Sequence, residues 1–268
     1  MGAAFFDLDK TVIAKASIVA FGKPLMRQGL ISRRTVAWAV AQQFLFMQFG
    51  ADEKRLKKVR DSMLALTKGW DREQVDAIVR DTLIQIIEPL IYAEALEIME
   101  THRLRGERIY LVSAAPEEIV KPLAELLGVD GSIASRSNLD ENNRYTGTME
   151  FYCYGPNKAV AIREFAKRTA ISLPDSSAYS DSVTDLPMLD CVGHPYAVNP
   201  DKQLLAIARE RNWEVLHFTK PVRLRDRMTL RTPILTGALA LGGAIVLALI
   251  RGSRRGVTSP RARLKTVR

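Results

Sequence analysis

The chain has 268 residues, enough for one sizeable domain with an insert. Hydrophobic residues make up 47%, which excludes a largely disordered chain, and two cysteines, Cys153 and Cys191, exclude a disulfide scaffold and a multi-cysteine zinc site. The net charge of +9 is local: residues 220–268 hold 12 Lys and Arg and one acid, Asp226, so everything before them is slightly acidic.

Ala3–Leu8 (AAFFDL) predicts a short apolar strand. Asp7 and Asp9 interrupt the only early apolar stretch, so no N-terminal signal peptide is expected. From Ala14 to about Ala93 there is no strand signal. Long helical periodicity, broken near Gly50 and Gly69, predicts an inserted helical subdomain over 15–93. Trp38, Phe44, Leu45, Phe46, Met47 and Phe49 lie within it. They either pack the insert's own core or offer an apolar surface to lipid or an acyl chain.

Helical patterns follow at Glu94–Leu104, Glu117–Leu127 and Lys158–Thr169, with strand-like runs at Arg108–Ser113 and Ser177–Ser180. Asn142-Asn143, then Tyr145-Thr146-Gly147, predict a hairpin turn. Strands alternating with helices predict an α/β fold, a parallel sheet with helices on both faces. Its core is 1–14 plus 94–219. The histidines, His102, His194 and His217, are scattered and suggest no metal site; His194 alone falls close behind an acidic motif, and a structural role is expected for it. Cys153 and Cys191 read as reduced residues of the core.

Thr232–Ile250 is uncharged and apolar all round, bracketed by Arg231 and Arg251. As a helix it would span roughly 28 Å, about the hydrocarbon thickness of a bilayer. A buried helix is the alternative. Both flanks are basic, so charge gives no orientation. The tail, 220–268, is expected to cross a membrane or to lie on it against anionic lipid. It has no interleaved aromatics for base stacking, so nucleic acid is not an expected partner.

The chemistry concentrates at predicted strand ends, where open parallel sheets bind ligands. Asp7 and Asp9 are two apart in Asp7-Leu8-Asp9-Lys10-Thr11. Both can reach one site, and two close carboxylates favour a hard cation between them, Mg²⁺ being the natural choice. Asp181 and Asp185 follow the Ser177–Ser180 strand and could complete an oxygen-rich site. An acidic turn capping a helix is the alternative for the first pair, and a helix N-terminus enriched in acids for the second. Ser113 at a strand end and Lys158 at a helix start supply the hydroxyl and the cation that a phosphoryl group needs.

Asp7-x-Asp9-x-Thr11, Ser113, Lys158 and Asp181-x-x-x-Asp185, in this order, resemble the four motifs of haloacid dehalogenase-superfamily phosphatases. Gly155-Pro156-Asn157-Lys158 and Ser180-Asp181-Ser182 make the chain similar to subfamily IB, the phosphoserine-phosphatase-like group. The resemblance covers about Ala3 to Phe218 and implies a Rossmann-like three-layer core with an all-helical cap. It implies that Asp7 is the nucleophile, Asp9 the general acid and base, and that Thr11, Ser113 and Lys158 bind the phosphoryl group. Mg²⁺ would be held by Asp7, the carbonyl of Asp9 and Asp181, with Asp185 orienting ligands or Lys158. Phosphoserine phosphatases carry a cap Glu that reads the substrate amine. Here Thr11 to Ile18 contain no acid, and Lys15 has the wrong sign.

The expected function is a Mg²⁺-dependent phosphomonoesterase at a membrane, acting on a phospholipid-derived or small alkyl phosphate. The alternatives are a soluble-metabolite phosphatase, phosphoserine included, and a catalytically silent membrane-tethered binding module.

Overall fold

The computed structural model describes residues 1–32, 61–62 and 64–219. Seven strands form one sheet: β1 (Ala3–Asp7), β2 (Arg108–Pro116), β3 (Gly131–Leu139), β4 (Tyr145–Phe151), β5 (Ser177–Ser180), β6 (His194–Val198) and β7 (Glu214–Leu216). Their spatial order is β4-β3-β2-β1-β5-β6-β7. All neighbours run parallel except the edge pair β3–β4, the hairpin expected around Asn142-Asn143.

Helices among the described residues include α1 (Ser17–Ala20), α2 (Gly22–Arg27), α3 (Arg72–Ile87), α4 (Ala93–Leu104), α5 (Glu117–Leu127), α6 (Pro156–Thr169), α7 (Leu186–Leu189) and α8 (Lys202–Glu210). Local signals set several of these ends. Asp71 caps α3 by accepting from the Gln74 amide, Gly128 closes α5 in the left-handed region at φ 62°, and Pro156 opens α6. α3 buries Val75, Ile78, Val79, Leu83 and Ile87, a one-sided helical stripe.

β1 is buried along its whole length, as a central parallel strand should be. Ala3 and Phe5 belong to a core with Val112, Ala178 and Ala197 of neighbouring strands and with Ile162, Met188 and Leu204 of α6, α7 and α8. On alternate strand positions, Phe6, Tyr179 and Tyr196 stack in register across β1, β5 and β6, with centroid spacings of 4.3 and 4.6 Å. His102 of α4 meets Phe6 and Tyr179 edge-on. The three-layer arrangement expected from the alternation is the one observed.

Successive strands step outward from β1 in one direction, through β2 and β3, and in the other from β5, through β6 and β7. β1 and β5 are neighbours, so the topology reverses between them. In open α/β sheets the crevice beyond the carboxyl ends at such a point is where ligands bind.

The root of the insert is visible as two antiparallel segments. Ala14 N donates to Leu90 O, Tyr92 N to Val12 O, and Ile13 pairs with Ile91. The described part of the insert is not purely helical. Gly69, at φ 82°, breaks the helical pattern as expected, and the chain then runs beside β4. There Gly69 N donates to Tyr145 O, Tyr145 N to Trp70 O and Arg72 N to Asn143 O. Gly50, the aromatic run from Trp38 to Phe49 and the tail from Lys220 onward, with its 232–250 segment, lie outside the described residues. Among the described residues, no helix is long and apolar enough to cross a membrane.

Candidate active site

The site begins where β1 stops. Asp7 is its last residue, and the chain turns at once: Val12 N and Ile13 N both donate to Leu8 O at 3.0 Å, and Lys10 takes φ 64°. A non-glycine residue there costs conformational energy, a sign of a turn held by its surroundings. The turn leaves Asp7 buried, Asp9 half-buried and Thr11 fully buried. Thr11 Oγ1 has no hydrogen-bond partner among the described residues. A buried hydroxyl left unpaired is costly, and a ligand oxygen would satisfy it.

β2 lies beside β1, with Val112 opposite Asp7, so Ser113 stands one residue beyond Asp7. The ladder to β3 shifts between Ser113 and Pro116. Ser113 Oγ accepts from Ala115 N at 3.1 Å, which leaves its proton free to donate to an anion. Ser135 fixes the segment behind it, donating to Ala114 O and accepting from Cys153 N.

Lys158 arrives from the other side. Gly155 takes φ 54°, ψ −127°, a conformation open to glycine, and α6 starts after it with Lys158 in its first turn. The buried ammonium donates to Asp7 Oδ1 at 2.6 Å and to Asp185 Oδ2 at 2.7 Å. Ser180 Oγ donates to the same Asp185 oxygen at 2.7 Å. Asp185 thus bonds both Lys158 and Ser180 through one oxygen. Burial opposes the charge on Lys158, but the carboxylates of Asp7 and Asp185 overcome it and hold the ammonium above its ordinary value.

Asp181, just past β5, is nearly buried. The exposed Lys10 ammonium stands 3.9 Å from its carboxylate. Burial and the charge of Asp185 push its carboxyl up to about 6, against the pull of Lys10. Burial also raises Asp7, with Asp185 and Asp181 adding to the effect against Lys158. Asp9 is raised by burial too, and its Oδ1 accepts from Ser17 N at 2.8 Å.

The donor set fits a hard dication. Two nearby carboxylates, Asp7 and Asp181, are raised chiefly by burial, with neighbouring carboxylates adding to it, and a bound cation would favour their ionised forms. The single ammonium between Asp7 and Asp185 cannot neutralise them all. Among the described residues, no three His, Cys, Asp or Glu side chains cluster as ligands. Asp7 and Asp181 would offer carboxylate oxygens to a hard ion such as Mg²⁺. One oxygen of the Asp9 carboxylate accepts from Ser17 N, and the other takes no part in that bond.

Asp7, Lys158 and Asp185 are in direct contact, while Asp9 and Thr11 follow β1, Ser113 lies on β2 and Asp181 follows β5. The haloacid dehalogenase-like hydrolase family matches residues 4–190. The chain belongs to this family. A probable phosphatase of Mycobacterium tuberculosis is 46% identical over 256 residues, covering 93% of this chain and 89% of that one. A phosphoserine phosphatase of the same organism is 32% identical over 255 residues, covering 94% and 82%. The solved structure of a Bordetella pertussis Tohama I protein of unknown function superposes with a TM-score of 0.70 at 26% identity, over 80% of this chain and 97% of that one. The chain is a hydrolase of this family, with phosphatases among its relatives.

Sequence reasoning overlooked Ser17, Ser135, Ser180 and Asp201, which hold the site residues from behind. Ser180 stood beside Asp181 in the motif, but serine is common and its role depends on the fold. His194 opens β6, at the opposite end of the strand from the crevice, and is exposed. His102 is buried with Glu107 and Tyr179. Both cysteines are free; Cys153 is buried and Cys191 half-buried.

Proposed function

We propose that the protein is a Mg²⁺-dependent phosphomonoesterase working through an aspartyl-phosphate. The observation that carries this reading is the buried Lys158 ammonium bridging Asp7 and Asp185 at the strand-order reversal. A bound phosphoryl group brings negative charge to a place that already holds several carboxylates. Lys158 offsets that charge and fixes Asp7 Oδ1, leaving the second Asp7 oxygen to attack.

In the first step an Asp7 oxygen bonds to phosphorus while the bond from phosphorus to the ester oxygen breaks. Asp9 donates its proton to that leaving oxygen, a role suited to a carboxyl whose proton affinity burial has raised. In the second step a water oxygen attacks phosphorus, Asp9 takes the water's proton, and the bond to Asp7 breaks to release phosphate. Thr11 and Ser113 hold the phosphoryl oxygens by hydrogen bonds. Mg²⁺, bound by Asp7, Asp181 and the Asp9 carbonyl, would supply electrostatic stabilisation of the charge on the transferring group.

The substrate reading favours an apolar or alkyl phosphate near a membrane. It rests on the sequence: the uncharged 232–250 segment between basic flanks, and the lack of an acid between Thr11 and Ile18 to read a substrate amine. Phosphoserine is the second reading, favoured by the 32% identical relative of that activity.

Asp7→Asn is expected to abolish phosphate release from an aryl phosphate in Mg²⁺, a loss of about 10⁴-fold or more for a covalent nucleophile. Undiminished turnover by the folded variant removes the mechanism. A phosphate-release screen of lysophosphatidate-type substrates against phosphoserine, with and without micelles, decides between the substrate readings.

A further inference from the structure

From the hydrogen bonds around Asp201 we infer that this residue, outside the four motifs, is a positioning residue for the cation site. The inference rests on the metal-dependent reading above. Asp201 precedes α8, and its Oδ1 accepts from Gln203 N at 3.0 Å and Leu204 N at 2.8 Å. That alone would be an ordinary helix cap. Its other oxygen turns away from the helix. Oδ2 accepts from Val183 N at 2.9 Å and from Ser182 Oγ at 3.2 Å, and Asp201 N donates to Asp181 O at 2.8 Å. One side chain and its own amide thus bond three consecutive residues, Asp181 to Val183.

Those residues carry the candidate ligand Asp181. The 181–185 loop is fixed at its far end by Asp185, through Lys158 and Ser180. At its near end Lys10 is exposed and 3.9 Å away, too distant to set the carboxylate's direction. Asp201 supplies the missing anchor. It fixes the backbone on both sides of Ser182, and with it the direction in which the Asp181 side chain leaves the loop. Outer partners of this kind set ligand geometry, and their loss weakens metal binding. A cap without this duty could have been Ser or Asn at no loss to the helix.

The test separates the two duties. Asp201→Asn keeps one carbonyl oxygen for the α8 amides but sets an NH₂ against Val183 N–H. Asp201→Ser keeps a capping hydroxyl that does not reach the loop. Ser182→Ala removes the hydroxyl bond only. Asp71→Asn, at the α3 cap, is the control for capping as such. Mn²⁺ binding by calorimetry on the full chain, with the melting temperature and the Mg²⁺ activation constant, gives the readout. Both Asp201 variants are expected to bind Mn²⁺ about 10–100-fold more weakly. Their melting temperatures should match Asp71→Asn, and kcat should recover at saturating Mg²⁺. Ser182→Ala should shift binding in the same direction by less. Wild-type affinity in all three overturns the inference and leaves the phosphatase reading standing. A loss of affinity that follows a loss of fold stability also overturns it. A wild-type chain that binds neither cation sinks the metal-dependent reading first, and this one with it.

Discussion

Two buried polar clusters sit in this sheet, and they are built on opposite terms. On one face His102 is closed in by partners: one ring nitrogen meets Glu107, and the other meets Tyr179 OH at 2.8 Å. Tyr179 is itself stacked between Phe6 and Tyr196. At the crevice, Lys158 faces two carboxylates, the Asp181 and Asp9 carboxyls lie near, and Thr11 Oγ1 is unpaired among the described residues. The first cluster is complete without a ligand. The second is unbalanced by charge and, among the described residues, by hydrogen bonding. A fully paired buried network stabilises a fold, whereas an unbalanced one carries a cost that a ligand must offset. The contrast says which polar cluster serves the fold and which serves chemistry.

The largest break in that contrast comes from Lys158→Met. It leaves Asp7 and Asp185 buried without their cation, and removing one partner of a buried pair costs roughly 3–5 kcal/mol. Urea unfolding should show that loss, and phosphate release should fall by about 10³-fold, as expected for a lost transition-state cation. His102→Leu is the matching change in the complete cluster. It removes the Tyr179 OH bond to the ring, leaves that hydroxyl its contact with Ser177, and should cost about 1–2 kcal/mol of stability. The folded variant's kcat should stay within about twofold of the wild type, a change too small to signify a lost transition-state contact. A kcat drop in His102→Leu comparable to that in Lys158→Met would erase the distinction between the clusters.

A smaller effect sharpens it. Asp7, Asp9 and Asp181 all have carboxyls raised above their ordinary value, Asp181 to about 6. Between the unfolded carboxylate range and those raised values, the folded metal-free chain binds more protons than the unfolded one. Stability in EDTA should therefore rise as pH falls from 8 towards 5. Saturating Mg²⁺ favours the ionised carboxylates and should remove or reverse the trend. Urea midpoints at pH 8, 6.5 and 5, with and without Mg²⁺, measure it. A metal-free chain that gains stability with rising pH across that window would contradict an unbalanced site.

How much of this was legible beforehand follows from the same contrast. The proposed reacting groups stand out in the sequence because such chemistry demands certain residue types at strand ends: Asp7 and Asp9 after AAFFDL, Lys158 after Gly155-Pro156, Asp181 and Asp185 after SAYS. The groups that hold them were not. Ser180, Ser17 and Asp201 act through contacts made only once the chain has folded, and their residue types occur in any loop. β6 and β7 went unread for a related reason. HPYAV begins with His and Pro, and EVL is three residues long, so their strand character comes from the ladder beside β5. The insert's attachment to β4 depends on backbone hydrogen bonds, which no side-chain pattern announces.

That attachment yields the smallest effect. Arg72 joins the segment beside β4 to the start of α5, donating to Glu117 Oε1 at 3.0 Å. Glu117 stands four residues beyond Ser113, and burial raises its carboxyl while Lys121 and then Arg72 pull it below its ordinary value. The pair is partly exposed, Lys121 also bonds Glu117, and the backbone bonds at Gly69, Trp70 and Arg72 do not depend on the guanidinium. Arg72→Gln should therefore cost about 1 kcal/mol or less, as for other partly exposed ion pairs. If the backbone bonds hold this end of the insert in place, kcat/KM should change less than about threefold, under 1 kcal/mol of transition-state stabilisation. A fall of tenfold or more at unchanged stability would mean that the ion pair transmits the insert's position to Ser113. The complete, structural kind of polar contact would then extend into the working one.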